Sequence, residues 1–382
     1  MKILKSGSLS VGLAMFSMFF GAGNITFPLL IGKAAEGSLI WALLGLILTA
    51  VVIPFSGLFS IVLFDGDYET FFKRMGKWPG FIVILLLLAM IGPFGGIPRC
   101  ITLTYSTLHV YFSNLNLLTF SIISAIVIFL FSWKRSRILD LIGLVLSPLL
   151  VLFLLAIIIK GIFFSEADPV RSTQIAHPFF YGLKEGYNTL DLMAAFFFSS
   201  LIYKKLQDSQ GENKGAFLPI FKASLIGAFL LSMIYIGFSY VAAFHTLSLD
   251  GAEPDQLLGR IGQIVLGHYA GLIVSLSIAL ACLTTAIALT VVSAEFLQNR
   301  LSKGKFSYEV SLGVVLLITA CVSTLEFTGI VRLLAPTLQV IYPSLLVLSL
   351  FNIFHKTFDY QPVKVPVFTT LSLVLLFQYI LS

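Results

Sequence analysis

Long apolar runs alternate with short polar segments along the whole chain. A helix of about 20 residues crosses the hydrocarbon core of a bilayer, so runs near this length predict transmembrane helices. They lack the two-residue apolar and polar alternation of a membrane β-barrel. Eleven spans are predicted, at residues 7–31, 38–63, 80–111, 116–133, 138–164, 179–203, 216–243, 258–299, 307–324, 328–354 and 366–381.

The composition agrees with an all-α polytopic membrane protein. The chain is 58% hydrophobic and 11% charged, with a mean hydropathy of +1.00, which excludes soluble and disordered classes. The net charge of +6 does not indicate nucleic-acid binding, because the basic residues are scattered between apolar runs. Cys100, Cys282 and Cys321 lie in apolar segments without a CxxC pair and support neither a metal site nor a disulfide.

Basic residues predict the orientation, since Lys and Arg accumulate in cytoplasmic loops. Loops on one side of the predicted spans carry 16 of the 24 Lys and Arg residues, and loops on the other side carry six. Arg99 and Lys222 lie within spans. The N-terminus is therefore predicted to be cytoplasmic.

The span lengths repeat between the two halves of the chain. The third and eighth spans are both overlong, and the fourth and ninth are both short. An odd number of spans in each half makes the halves inverted, as in many transporters. We predict one transmembrane domain, residues 1–382, with inverted five-helix repeats at 7–164 and 179–354 and an additional helix at 366–381.

The first span contains helix-breaking residues at mid-membrane. Gly21, Gly23 and Asn24 are followed by Pro28 in FFGAGNITFP. Glycine and proline weaken a helix, and non-helical backbone at this depth is tolerated only against protein or an aqueous cavity. The break predicts a binding site, whereas the alternative is a glycine notch for a packed neighbour.

The sixth span carries Asn188, Thr189 and Asp191 in EGYNTLD. A carboxylate at the bilayer centre costs at least about 2.5–3.5 kcal/mol, so Asp191 is expected to face a cavity or a partner. The alternative is that this span starts later and Asp191 lies in the outer interface.

The third span contains IGPFGGIPRC, in a stretch too long for one straight crossing. Arg99 is deep and needs a counterion, for which Asp191 and Glu295 are candidates. Snorkelling of its side chain towards the outer surface is the alternative.

The eighth span carries adjacent hydroxyls, Thr284 and Thr285, in ACLTTAIALT. Oxygen ligands suit a hard cation such as sodium, and carbonyls freed at a helix break can complete the set. A threonine hydroxyl that bonds its own helix backbone is the alternative interpretation.

The four motifs, in this order, resemble those of the branched-chain amino acid:cation symporter family, within the amino acid, polyamine and organocation transporter superfamily. The resemblance covers the first ten spans. It implies a LeuT-type fold and sodium-coupled import of leucine, isoleucine and valine across the bacterial inner membrane. Members commonly have twelve spans, against eleven predicted here, and carry small residues where this chain has Phe196, Phe197 and Phe198.

The resemblance implies a substrate site between the breaks of the first and sixth spans. The predicted substrate residues are Phe20, Gly21, Ala22, Gly23, Asn24, Thr26, Phe94, Asn188, Thr189, Asp191, Phe196 and Phe197. The predicted sodium ligands are Ser17, Phe20, Ala281, Thr284 and Thr285. The expected partners are a small neutral amino acid, a coupling cation and the bilayer, with no cofactor besides the ion, no nucleic acid and no obligatory protein partner.

Three alternatives stay open on the residues alone. A symporter of another small neutral amino acid could be driven by protons instead of sodium. A passive channel would show a continuous polar stripe, whereas the polar residues here are local. An intramembrane enzyme would need motifs such as HExxH or DDxxD, which are absent from the sequence.

The predicted orientation can be tested by cysteine labelling after the native cysteines are replaced. Asp250→Cys should react with an impermeant reagent applied outside, and Glu212→Cys should not. The reverse pattern would mean that the chain is inserted the other way round.

Overall fold

The computed structural model describes residues 8–133, 147–163, 175–210, 217–359 and 361–381, and the regular structure of these residues is helical. The helices are α1 Ser8–Phe19, α2 Ala22–Ala35, α3 Leu39–Ile47, α4 Ile53–Val62, α5 Tyr68–Lys73, α6 Lys77–Ile91, α7 Gly96–His109, α8 Leu117–Ser132, α9 Ser147–Phe163, α10 Pro178–Asn188, α11 Asp191–Gln210, α12 Phe217–Phe244, α13 Leu257–Leu266, α14 His268–Phe296, α15 Tyr308–Ser323, α16 Glu326–Phe358 and α17 Lys364–Leu381.

Each predicted span has a helix or a broken helix pair at its position. Among the described residues, five continuous or nearly continuous segments are long and apolar enough to cross a membrane: Leu39–Val62, Lys77–His109, Phe217–Phe244, Gly271–Leu301 and Glu326–Phe358. The bent pair α1 and α2 gives a sixth, and α8, α9, α15 and α17 are shorter apolar helices. The protein is therefore a multi-pass membrane protein. The repeat limits stay a prediction, and residues 138–146 of the fifth span lie outside the described residues.

The first predicted break is present but shorter than expected. Helices α1 and α2 meet at 73°, and the helix resumes at Ala22. Gly23, Asn24 and Pro28 therefore lie inside α2. Residues Phe20 and Gly21 alone separate the two helices, so the discontinuity is a sharp bend with little unwound backbone.

The sixth span is broken between α10 and α11, at Thr189 and Leu190. Leu190 has a φ of 68°, in the left-handed region that bulky L-residues rarely adopt. Such a conformation costs of order 1–3 kcal/mol and persists only where surrounding contacts enforce it. The strain indicates that packing around the break holds this geometry.

The two overlong spans are broken in different ways. The third is divided into α6 and α7 by a turn beginning at Gly92, as its length predicted. The predicted eighth span, 258–299, is not one crossing: α13 ends before Gly267, whose φ of 81° ends that helix, and α14 forms the crossing. The sequence-based boundary was wrong here because both helices are apolar and only a single glycine separates them.

Glycines set the closest helix contacts. Helices α3 and α10 approach through Gly45 and Gly182, where a Cβ at Gly182 would overlap the Ala42 carbonyl. Helices α2 and α12 approach at Gly32, and the Ser239 hydroxyl on α12 donates to the Pro28 carbonyl at 2.7 Å. Small residues drive helix association in lipid by letting backbones pack closely, so these contacts fix both broken spans against neighbouring helices.

Gly182→Ala should lower the melting temperature of the purified protein in detergent. Overpacking a tight interface costs typically about 1–3 kcal/mol, which exceeds the gain in helix propensity. Gly313→Ala is the matched control, because nothing lies within 4 Å of the added Cβ. Thermal denaturation followed by size-exclusion chromatography measures both, and an unchanged melting temperature for Gly182→Ala would contradict the packing described.

Candidate functional site

A narrow cavity lies between the two helix breaks, with a free volume of about 30 Å³. A water molecule needs about 10–15 Å³ of such free volume, so the cavity has room for about two. Entry of anything larger requires the surrounding helices to separate. The predicted substrate residues that line it are Gly21, Ala22, Gly23, Asn24, Thr189 and Asp191. Helices α7 and α14 complete its walls.

A buried hydrogen-bonded cluster ties the two breaks together. Asn24 Nδ2 donates to Asp191 Oδ2 at 2.6 Å and also to the Tyr235 hydroxyl, which itself lies 3.1 Å from the same Asp191 oxygen. Asp191 is 2% exposed, so its carboxyl group is enclosed by protein. The cluster therefore joins α2, α11 and α12 around one carboxyl group.

Glycines at the first break allow this approach. A Cβ on Gly23 would lie 2.9 Å from Thr189 Cα, and a Cβ on Gly21 would lie 2.9 Å from the Thr285 Cγ2 methyl. Real Cβ atoms do not come that close, so any larger residue would push the first break away from the sixth span or from α14.

Four of the five predicted cation ligands, Ser17, Ala281, Thr284 and Thr285, lie together at the end of α1, whereas no hydrogen bond among the described residues joins the fifth, Phe20, to this group. The Thr285 hydroxyl lies 3.4 Å from the carbonyl oxygens of both Ser17 and Met18. The Ser17 and Thr284 hydroxyl oxygens are 3.4 Å apart, and Thr284 Oγ1 donates to the Ala281 carbonyl at 2.8 Å.

The 3.4 Å separations fit an oxygen shell. Ca²⁺, which is close to Na⁺ in size, takes oxygen ligands at about 2.3–2.6 Å, and adjacent ligands of an octahedron at that distance are about 3.4 Å apart. The contacts join α1 to α14. The Thr284 bond to its own helix is also what the alternative interpretation of the threonine pair expects.

Several predicted residues lie away from the cavity. Phe94 is 42% exposed. The Phe20 ring stacks on the Phe16 ring, with 5.0 Å between the ring centroids, and the buried Thr26 hydroxyl has no hydrogen-bond partner. Asn188 does not line the cavity, but its carbonyl accepts a 2.7 Å hydrogen bond from Arg99 Nη1.

The phenylalanine triplet on α11 is divided by its helical positions. Phe196 packs on Phe71 and Phe72 outside the cavity, and Phe197 packs edge-on to Tyr68. Phe198 lines the cavity. Of the three phenylalanines considered for the apolar pocket, Phe198 therefore lines the cavity, and Phe196 and Phe197 do not.

Two further residues extend the predicted site. Tyr235 was not singled out, although it is a polar side chain within an apolar span, which is the signal that could have found it. Arg99 lines the cavity and is 1% exposed, so the snorkelling alternative was wrong. Its Nη1 hydrogen bond goes to a backbone carbonyl, and not to Asp191 or Glu295, the two counterions considered from the sequence.

The fold resembles those of known secondary transporters. The inward-facing structure of Mhp1 superimposes with a TM-score of 0.66 and 12% identity, covering 92% of this chain and 77% of that one. The substrate-bound outward-open state of a Na⁺-coupled sialic acid symporter superimposes with a TM-score of 0.55 and 13% identity. The match covers 92% of this chain and 79% of that one. The chain therefore has the LeuT-type fold, and the predicted fold class is confirmed.

The sequence then identifies the family within this class. Residues 5–380 match the family described as Branched-chain amino acid transport protein, and the chain belongs to that family. Branched-chain amino acid permease BraB of Bacillus subtilis (strain 168) is 28% identical over 361 residues, covering 92% of this chain and 80% of its own length. The predicted family resemblance is confirmed.

Tyr235→Phe should lower the melting temperature of the protein. The change leaves the ring in place and removes a hydroxyl from the cluster around Asp191, and a hydrogen bond contributes about 0.5–1.5 kcal/mol. Tyr240→Phe is the control, since Tyr240 lies on the exposed side of the same helix. Equal melting temperatures for the two variants would show that the cluster contributes nothing to stability.

Proposed function

We propose that this protein imports leucine, isoleucine and valine across the bacterial inner membrane by sodium symport, through alternating access, with its N-terminus in the cytoplasm. The permease name of the B. subtilis relative supports the substrate class, and the family membership supports transport. The observation that carries the proposal is the cavity between two facing helix breaks, beside a converging group of oxygen atoms.

An amino acid is a zwitterion, and the cavity offers groups for both charges. Its carboxylate would meet the amides that open α2, where a helix N-terminus carries partial positive charge. Its ammonium would meet the Asp191 carboxyl and carbonyls at the ends of the first halves of the two spans. Its branched side chain needs apolar walls, which Ile91, Phe198 and Leu289 provide.

The cation site would couple to the substrate through the first span. Thr284 and Thr285 on α14 contact the end of α1, only a few residues before the cavity. A sodium ion there would draw the two helices together and fix the first break in its substrate-binding geometry. The Na⁺-coupled sialic acid symporter with a similar fold supports this choice of ion.

Proton coupling is the second candidate, because one observation favours it. Asp191 is a buried carboxyl group between the two breaks, bonded to side chains of α2 and α12. A proton taken up there would alter the hydrogen bonds of Asp191 to Asn24 in the first broken span and to Tyr235 in α12. In this mode the substrate would be a small neutral amino acid and Asp191 would carry the proton.

Uptake by purified protein in liposomes separates the two modes. Radiolabelled leucine should accumulate when an inward sodium gradient is imposed, and should only equilibrate when potassium replaces sodium. Accumulation driven by a proton gradient without sodium would favour the second candidate. Equilibration without accumulation under either gradient would indicate a passive channel.

Thr285→Ala and Thr284→Ala should each raise the sodium concentration that gives half-maximal leucine uptake. Each removes an oxygen from a shell that water is hindered from completing, and an interaction of this kind contributes roughly 1.5–3 kcal/mol, or about 10- to 150-fold in affinity. Thr290→Ala is the control, because the buried Thr290 hydroxyl has no hydrogen-bond partner. Wild-type sodium dependence in both variants would contradict the assigned ligands.

Phe198→Ala should change the ranking of valine, leucine and methionine as competitors of uptake. The lost ring enlarges the cavity, and one methylene of fit in an apolar pocket contributes about 1–3 kcal/mol. Phe196→Ala is the matched control: it removes the same ring from the same helix, but from the contact with Phe71 and Phe72. A change of ranking in the control alone would place the pocket elsewhere.

A further inference from the structure

Arg99 is held in the cavity wall with part of its hydrogen-bonding capacity unused. Its side chain is 1% exposed, and Nη1 donates to the Asn188 carbonyl at 2.7 Å. Nε and Nη2 are buried and have no hydrogen-bond partner. A buried donor without a partner is costly, and a charged group more so, so this arrangement points to a partner that is not part of the protein.

The two unused donors lie on one edge of the guanidinium group. Nε–H and the adjacent Nη2–H point in parallel, and this fork matches the two oxygens of a carboxylate. The third nitrogen, Nη1, is fixed by Asn188, so the plane of the group is set before any ligand arrives. The centroid of the Phe27 ring lies 5.9 Å from Arg99 Cζ, so a cation–π contact also holds the guanidinium group.

The nearby protein carboxyl groups already have other donors. Asp191 Oδ2 accepts from Asn24 and Tyr235, and Glu185 Oε2 accepts from the Asn188 side chain at 3.1 Å. In the part of the chain that the structure describes, neither lies within ion-pair distance of Arg99, although Glu185 is near enough to interact with its charge. The free edge therefore remains available to a ligand.

The position of Arg99 follows from the break in the third span. Gly95 precedes α7 and Gly96 begins it, and a Cβ on either residue would overlap a backbone carbonyl of α6. This tight turn brings the first turn of α7, with Arg99, to the level of the two other breaks. Three broken spans thus meet at one cavity.

We propose that Arg99 binds the α-carboxylate of the substrate through Nε and Nη2, and that this pair makes the carboxylate an obligatory recognition element. The inference rests on the proposed amino-acid substrate and deepens it. The Arg99 fork would hold the carboxylate next to the amides that open α2. Because Nη1 also donates to the carbonyl at the end of α10, carboxylate binding would be coupled to the break in the sixth span through the same side chain.

The first test compares ligands on wild-type protein, so its result does not depend on whether a variant folds. Leucine, leucinamide and leucinol compete for binding of radiolabelled leucine to the purified transporter. Leucinamide and leucinol should each bind roughly 10- to 150-fold more weakly than leucine, the range expected when a charged hydrogen-bonded pair is lost. Leucinamide that competes as well as leucine would overturn the proposal.

The second test asks whether Arg99 is the residue responsible. In Arg99→Gln, leucine binding should weaken while the preference for leucine over leucinamide falls towards one. A loss of correct folding would lower the binding of leucine and leucinamide equally and leave the ratio of their affinities unchanged. Arg99→Lys should keep part of the preference, because it retains the charge without the fork. Arg332→Gln, at an exposed arginine, is the control.

The outcomes separate this inference from the proposed function. If wild-type protein neither binds nor transports leucine, the proposed function fails. If leucine is transported and Arg99→Gln keeps the wild-type preference for leucine over leucinamide, the function stands and the Arg99 assignment is wrong.

Discussion

Backbone groups released by a broken helix have no water to bind inside a bilayer, and this constraint shapes the centre of the protein. Side chains, both local and from other helices, bind them. The Gly21 amide donates to Asn24 Oδ1 at 3.2 Å, and the Asn188 carbonyl accepts from Arg99. Asn24 also bonds Asp191, at the start of α11. Each break is thus stabilised through groups that contact the other, so the breaks and the cavity form one unit.

This mutual dependence explains why the sequence revealed so much of the site. Glycines and polar residues within apolar spans are costly in lipid, so their positions mark where the helices cannot be regular. Gly21, Asn24, Thr189 and Asp191 were found in this way, and all of them line the cavity. The LeuT-type fold was predictable from the same motifs once their order was recognised.

Side-chain direction was not predictable from the same pattern. Successive helical residues point about 100° apart, so three phenylalanines in a row face three surroundings, and only tertiary packing shows that Phe198 faces the cavity. Arg99 was identified as deep but without a direction. The Gly267 break was missed because one glycine between two apolar helices leaves the hydrophobic pattern nearly continuous.

In the proposed function, the substrate and cation sites are coupled through the first broken span. Binding coupling is reciprocal by thermodynamic necessity, and typical values are about 5- to 150-fold. The most direct test measures the dissociation constant of leucine at low and saturating sodium, and that of sodium with and without leucine. Coupling predicts that each ligand raises the affinity for the other by the same factor. A leucine affinity independent of sodium would contradict it.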